Sequence, residues 1–534
     1  MQSNVPKRLN MANDYQQKKL SLAQSQPALV THIPHRSIDI AQENTIRITA
    51  LKKNTRSKKN EGARGGKGYV IASYVCLLLF ALIQGMIIYA QKTGPFYDEA
   101  IYATAGMRTL EGKGVADGYL VWFAGSLLWP VLSAIGYNIH GLVGIRAVGV
   151  LLTFVAVLFS YLTAKNLFGV KAAFFSVLLF IFNGPLMALA HLGVYDIPAL
   201  TCTSISLWAI TRFKNGHRFW LCVSAISLAI AMIAKYPIGL MMLPILGLLI
   251  TFRQQKSITD VFLFLFLFAA VFLAFFLPFQ FQVGDWLLWS SQNKPTFGST
   301  EAMIIGAQLY WGLLPLCASL LGFCVAPKKK EALLLWLAGL IWPAYHIISG
   351  NPVSDNKHVV FGFLFLYPLI GLFCAYLWQK KWLGKPLVTF LCLIFLVVGA
   401  AELYILDSAW PDVRSAATYL TNDAHPGDQF LIDDAWPYTM SLYAQHKIKD
   451  PWAVYDNYRI THKENTQSIC AYTWYVDEKG SYSWPDTFRE QIKACHAFIP
   501  VYHTESSVVE LGPDLQYKRY TITTTIYKNL HATK

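Results

Sequence analysis

The sequence predicts a polytopic α-helical membrane protein, with about 11 transmembrane helices and a small C-terminal extracytoplasmic α/β domain. Three observations from the residues themselves point to the membrane class. Only 14% of the 534 residues are charged, against the roughly 25% usual for a soluble globular chain, while 54% are hydrophobic and the mean hydropathy is +0.37. Apolar stretches approaching the ~20 residues needed to cross a bilayer recur between residues 69 and 406. From Asp407 the pattern changes to short runs with turn residues between them. A soluble enzyme, a disordered chain and a fibrous chain are excluded.

The charge is uneven along the chain. Residues 1–68 hold thirteen Lys and Arg against four Asp and Glu, residues 69–406 twenty against eleven, and residues 407–534 twelve against sixteen. The net charge of +14 therefore sits in the N-terminal tail and the membrane loops. No aromatic residues interleave with the basic ones, so nucleic acid is not an expected partner. The tail is polar without an apolar period and reads as disordered. Seven positive charges between Lys52 and Lys67 precede the first span and place the N-terminus in the cytoplasm.

Eleven spans follow: Tyr69–Ala90, Leu142–Ala164, Ala172–Ala190, Ile197–Phe213, Phe219–Ala234, Pro237–Phe252, Ile258–Phe279, Met303–Val325, Ala332–Ser349, Val359–Trp378 and Pro386–Leu406. The stretch Tyr119–Tyr137 is apolar but broken by Gly125, Ser126 and Pro130. If it does not cross, thirteen positive residues, among them Lys165, Arg212, Arg253 and Lys328–Lys330, face the cytoplasm. If it crosses, they all face outward, against the positive-inside rule. The stretch therefore reads as a surface segment of the outer loop 91–141, and the C-terminus lies outside. The domains are then a basic cytoplasmic tail (1–68), a membrane module (69–406) and an extracytoplasmic α/β domain (407–534).

This topology puts nine of the eleven membrane-region carboxylates at the outer face, with only Asp260 and Glu331 inside. None falls in the middle of a span, where an ion-coupled transporter places one. A transporter or flippase of lipid-linked glycans remains the alternative reading, and a structural membrane protein with a partner-binding outer domain is a third. Seven cysteines lie in spans and act as small apolar residues. Cys470 and Cys495 lie in the outer domain, where one disulfide is open to them in an oxidising compartment. There is no zinc-type ligand spacing, phosphate-binding loop or dinucleotide fingerprint. The chain has no Asn-x-Ser/Thr sequon, in keeping with a bacterial plasma membrane. In the C-terminal domain Ser415–Leu420 reads as helix, and Gln429–Ile432, Ala497–Val501 and Arg519–Lys528 read as strands.

The first outer loop reads Gly94-Pro-Phe-Tyr-Asp-Glu-Ala-Ile-Tyr. Asp98 and Glu99 open a short amphipathic helix to about Leu110. Acids there complement a helix dipole, but this pair also sits at the membrane surface beneath a second apolar segment. A partly desolvated carboxylate in that place can take a proton from a hydroxyl.

Together with the residues after it, this loop resembles the GT-C membrane glycosyltransferases of the protein O-mannosyltransferase and aminoarabinose transferase type. The likeness runs from the first span to about Trp378. It rests on Tyr97-Asp98-Glu99-Ala100-Ile101-Tyr102, then Arg146 opening the next span, Leu167-Phe168-Gly169, and His191-Leu192-Gly193-Val194-Tyr195-Asp196-Ile197-Pro198. Lys235-Tyr236-Pro237 and Lys357-His358 complete it. The late element departs from relatives that carry an Arg-Tyr pair, and the chain lacks the β-trefoil insert of eukaryotic protein mannosyltransferases.

The resemblance implies inverting transfer of a sugar from a polyprenyl-phosphate donor to a glycan, lipid or protein acceptor. Asp98 would be the general base, with Glu99 and Asp196 orienting it or the acceptor. Lys235, Lys357, His358 and Arg146 would hold the donor phosphate. The resemblance fixes no cofactor; a divalent cation is compatible with it, since a metal is variable in this class. Membrane lipid is the other partner.

Overall fold

The computed structural model describes residues 66–91, 93–114, 123–214, 216–252, 258–292, 312–349, 354–380, 382–433, 435–454, 469–480, 486–511 and 517–531. The expected disordered tail up to residue 65, the start of the surface segment at 119–122 and the start of the span at 303–311 lie outside them.

Six helices among the described residues are long and apolar enough to cross a membrane: Gly66–Ala90, Leu128–Phe168, Ile258–Leu288, Lys329–Ser349, Asn356–Trp378 and Gly384–Asp407. The pair Val170–Phe180 and Gly184–His191, bent by 68°, makes a seventh if it is one span. The protein is thus a polytopic α-helical membrane protein, but the expected eleven spans are not reached. Arg218–Ala234, Tyr236–Phe252 and Leu313–Val325 are apolar but shorter. Asp196–Phe213 is too polar by composition and almost wholly buried. Its hydroxyls bond within the protein, as from Thr201 to the Ile197 carbonyl and from Thr203 to that of Ala199. Neighbouring helices cover most of it.

The helix Leu128–Phe168 is two helices meeting at a reversal. His140 (φ −155°, ψ 40°) and Gly141 (φ 58°, ψ −143°) leave helical geometry, the latter in a region that glycine alone visits freely. The arms then fold back so closely that a Cβ on Gly144 would stand 1.9 Å from the Gly136 carbonyl oxygen. Against the first arm lies the helix Tyr97–Leu110, which crosses it at Gly106, where a Cβ would be 1.9 Å from the Pro130 carbonyl oxygen. This helix was expected to be amphipathic at the surface. Instead every residue from Glu99 to Met107 is buried, because the arm Leu128–Ile139 covers one side and the helix Ala435–Ala444 of the C-terminal region covers another.

The C-terminal region is mixed α and β. Strands β1 (Phe430–Ile432), β2 (Trp474–Lys479), β3 (Phe498–Leu511) and β4 (Tyr517–Asn529) form one sheet in the order β1-β2-β4-β3. The first pair is parallel and the other two are antiparallel. The register of β3 shifts between Pro500 and Tyr502, a bulge where proline has no amide hydrogen to give. Cys470 and Cys495 form a disulfide with their Cα atoms 5.6 Å apart. The region is tied to the membrane helices through the Trp410 indole on the Gly94 carbonyl, Val509 N–H on the Ser408 carbonyl, and Arg108 on Asp450.

Candidate active site

Asp98 and Glu99 stand in the first turn of the helix Tyr97–Leu110, and adjacent residues on a helix point about 100° apart. Glu99 turns inward and is fully buried. Its carboxylate accepts from Arg146 Nε at 3.1 Å and Nη2 at 2.9 Å, from the Phe96 amide at 2.8 Å and from the Gly193 amide at 2.7 Å. This set satisfies the buried charge, and its bidentate half is the strong, direction-specific kind. Arg146 also donates to Gln91 Oε1 and to the Gly94 carbonyl. Gly193 has no room for a side chain, since a Cβ would lie 2.4 Å from Ile145.

Asp98 points the other way. Its side chain is 22% exposed, and Oδ2 accepts from Lys357 Nζ at 2.7 Å. Both residues line a cavity of about 230 Å³ whose other walls include Phe96, Leu189, Leu192, Leu406 and Trp410. Lys357 lies near the start of the helix Asp355–Trp378 and also stands over the Phe96 ring.

Asp196 opens the helix Asp196–Phe213 and is 1% exposed. Its Oδ1 accepts from Lys235 Nζ and lies 3.9 Å from His358 Nε2. Lys235 sits at an extended break (φ −153°, ψ 103°) between the helix Arg218–Ala234 and a 3-10 turn at Tyr236–Met241. Its ammonium lies over the Tyr195 ring and lines a second pocket, walled by Tyr102, Phe123, Tyr236 and Trp286. Burial pulls Lys235 down to about 8, with Asp196 opposing that shift and Lys357 adding to it. His358 Nδ1 lies 2.9 Å from His346 Nε2, and its Nε2 has no hydrogen-bond partner among the described residues.

All seven residues singled out in the sequence therefore gather at one end of the bundle. Asp98 and Lys357 line one cavity and Lys235 the other, while Asp196 and His358 are buried next to Lys235. Glu99 and Arg146 lie behind them, with the guanidinium committed to Glu99, Gln91 and Gly94. Sequence reasoning did not single out Gln91, His346 or Trp410. A lone His in an apolar run or a Gln at a span end carries no signal until its partner is in place. Among the described residues no three His, Cys, Asp or Glu side chains converge as a metal-ligand set.

The fold is that of a polytopic α-helical membrane protein, and in that fold the chain resembles membrane glycosyltransferases that use polyprenyl-phosphate sugars. The family described as dolichyl-phosphate-mannose-protein mannosyltransferase matches residues 126–281. Among solved structures, ArnT from Cupriavidus metallidurans bound to undecaprenyl phosphate is 14% identical, with a TM-score of 0.50 over 86% of this chain and 98% of that one. Its apo state is 13% identical, with a TM-score of 0.51 over the same shares. The apo oligosaccharyltransferase of Archaeoglobus fulgidus is 11% identical, with a TM-score of 0.52 over 84% of this chain and 74% of that one. At such identities the likeness is one of fold. No curated protein sequence matches the chain.

Proposed function

We propose that the protein is a glycosyltransferase that moves a sugar from a polyprenyl-phosphate donor to an acceptor on the extracytoplasmic face, with inversion at the anomeric carbon. The observation that carries this is the unequal fate of two neighbouring acids. Glu99 has its lone pairs filled by four donors, whereas Asp98 reaches a cavity and has one cation beside it. Asp98 is the group free to take a proton from an acceptor hydroxyl. As the hydroxyl oxygen bonds to the anomeric carbon, the bond from that carbon to the phosphate oxygen breaks and the negative charge moves onto the polyprenyl phosphate. Lys357 and Lys235, which line the two cavities, would meet that charge, with His358 supporting them from beside Asp196. Arg146 serves the phosphate site indirectly, by holding Glu99 and through it the Gly193 loop that leads to Asp196.

The ArnT structure holds undecaprenyl phosphate, which supports a polyprenyl phosphate as this chain's carrier. The positive-inside argument supports the extracytoplasmic orientation. The test is transfer by purified protein in lipid nanodiscs, supplied with a panel of polyprenyl-phosphate sugars and membrane-derived acceptors. The expected result is release of polyprenyl phosphate in step with acceptor glycosylation by the wild type, and its loss in Asp98→Asn. Equal transfer by wild type and Asp98→Asn would remove the carboxylate mechanism.

A further inference from the structure

His191 has no part in the chemistry proposed above, yet it is fully buried and both ring nitrogens are engaged. Nδ1 lies 2.9 Å from Gln84 Oε1, and Nε2 lies 2.7 Å from Asp407 Oδ1. The partners decide where the hydrogens are. Gln84, from the helix Gly66–Ala90, turns its Nε2 to the Met187 carbonyl oxygen at 3.1 Å. A carbonyl only accepts, so the amide nitrogen faces Met187 and the amide oxygen faces His191. That oxygen also only accepts, so Nδ1 bears a hydrogen. An ionised Asp407 presents a second acceptor, and opposite it Nε2 bears a hydrogen as well. A ring with hydrogen on both nitrogens is an imidazolium.

We propose that His191 is a positioning residue: a buried imidazolium, ion-paired to Asp407, that holds the wall of the Asp98 cavity and the loop leading to Asp196. Its role in transfer rests on the function proposed above; its charge does not. The leverage is geometric. His191 ends the helix Gly184–His191, two residues before Gly193, whose amide holds Glu99 and whose carbonyl takes the Trp129 indole. Leu189 and Leu192 on one side and Leu406 on the other line the Asp98 cavity. Asp407 ends the last membrane helix, and the next residue, Ser408, receives the β3 amide of Val509. One ring therefore joins the first span, the site loop and the root of the C-terminal region.

The experiment uses full-length protein in nanodiscs, labelled with ¹⁵N-histidine and assigned by the resonance lost in His191→Gln. The expected spectrum shows both His191 nitrogens protonated at neutral pH. Asp407→Asn, which keeps an acceptor oxygen but removes the charge, should return the ring to the neutral form with its hydrogen on Nδ1. Each single variant should lower kcat/KM by up to roughly 10²-fold, the scale of a ~1 Å displacement. The double variant should be no worse than the weaker single, because the two act as one unit. A neutral His191 in the wild type, an unchanged ring in Asp407→Asn, or additive losses in the double variant would overturn the proposal. The two readings fail separately: a wild type that transfers no sugar counts against the function, and the spectrum still decides the charge.

Discussion

At residue scale, Asp98 and Glu99 predict opposite phenotypes for like substitutions. Asp98→Asn removes only a proton acceptor, so transfer should fall about 10²–10⁴-fold while thermal stability stays near that of the wild type. Glu99→Gln leaves Arg146 buried without its counter-charge, a loss on the order of 3–5 kcal/mol. It should lower the unfolding temperature and yield as well as activity. Melting curves read beside transfer rates separate the two; a stable, inactive Glu99→Gln would reverse the roles. Lys235 predicts a pH dependence. Burial brings it to about 8, so the ammonium is present below that pH and lost above it. The donor KM should therefore rise as pH passes 8, and Lys235→Arg should flatten that rise, since guanidinium stays charged. A donor KM that is level from pH 7 to 9.5 in the wild type would take Lys235 out of the phosphate site. The acidic pair was legible in the sequence because two acids beside a span end stand out against an apolar background. Which of them faces the cavity was not legible. That is decided by Arg146 and Gly193, 47 and 94 positions away from Glu99.

At element scale, the glycines at the Leu128–Phe168 reversal separate two kinds of strain. Gly144→Ala puts a methyl into the Gly136 carbonyl of the opposite arm, an overpacking that costs about 1–3 kcal/mol or more. Gly141→Ala meets no atom within 4 Å, and its cost of about 1–3 kcal/mol is torsional. Both should lower the unfolding temperature, and the Gly144 variant should also disturb Gly106 packing and hence activity. Unchanged melting in both would mean that the arms do not meet there. The long spans were legible from length and hydropathy alone. Asp196–Phe213, read as a span, is less apolar than the others, because burial among helices tolerates Thr and Ser that bond to their own backbone. Strand β2 was missed for a related reason. Trp474, Tyr475, Val476 and Glu478 are all buried, so this inner strand lacks the alternating burial that β4 shows from Ile522 to Ile526.

At the scale of the whole molecule, orientation is the property most open to direct test. In a background without free cysteines, Ile139→Cys, at a position 75% exposed beside the reversal, should react with an impermeant thiol reagent added to intact cells. Trp382→Cys, 87% exposed between the last two membrane helices, should react only after permeabilisation. Labelling of Trp382→Cys in sealed cells would invert the topology. An extracytoplasmic C-terminal region also agrees with the pairing of Cys470 and Cys495, which sequence alone left open because a Cα separation cannot be read from spacing.

An ammonium at 2.7 Å from Asp98 Oδ2 stabilises the carboxylate and so makes it a weaker base than an unpaired one. On the function proposed here, the donor's phosphate competes for Lys357 as it arrives, and Asp98 is released in the same event. Binding order is then built into the charges. An acceptor that reaches the cavity first meets a base weakened by that pair, so the empty protein is the less reactive state. When the spent carrier leaves, Lys357 returns to Asp98 and the cycle closes. The donor thereby arms the group that will activate its own attacker.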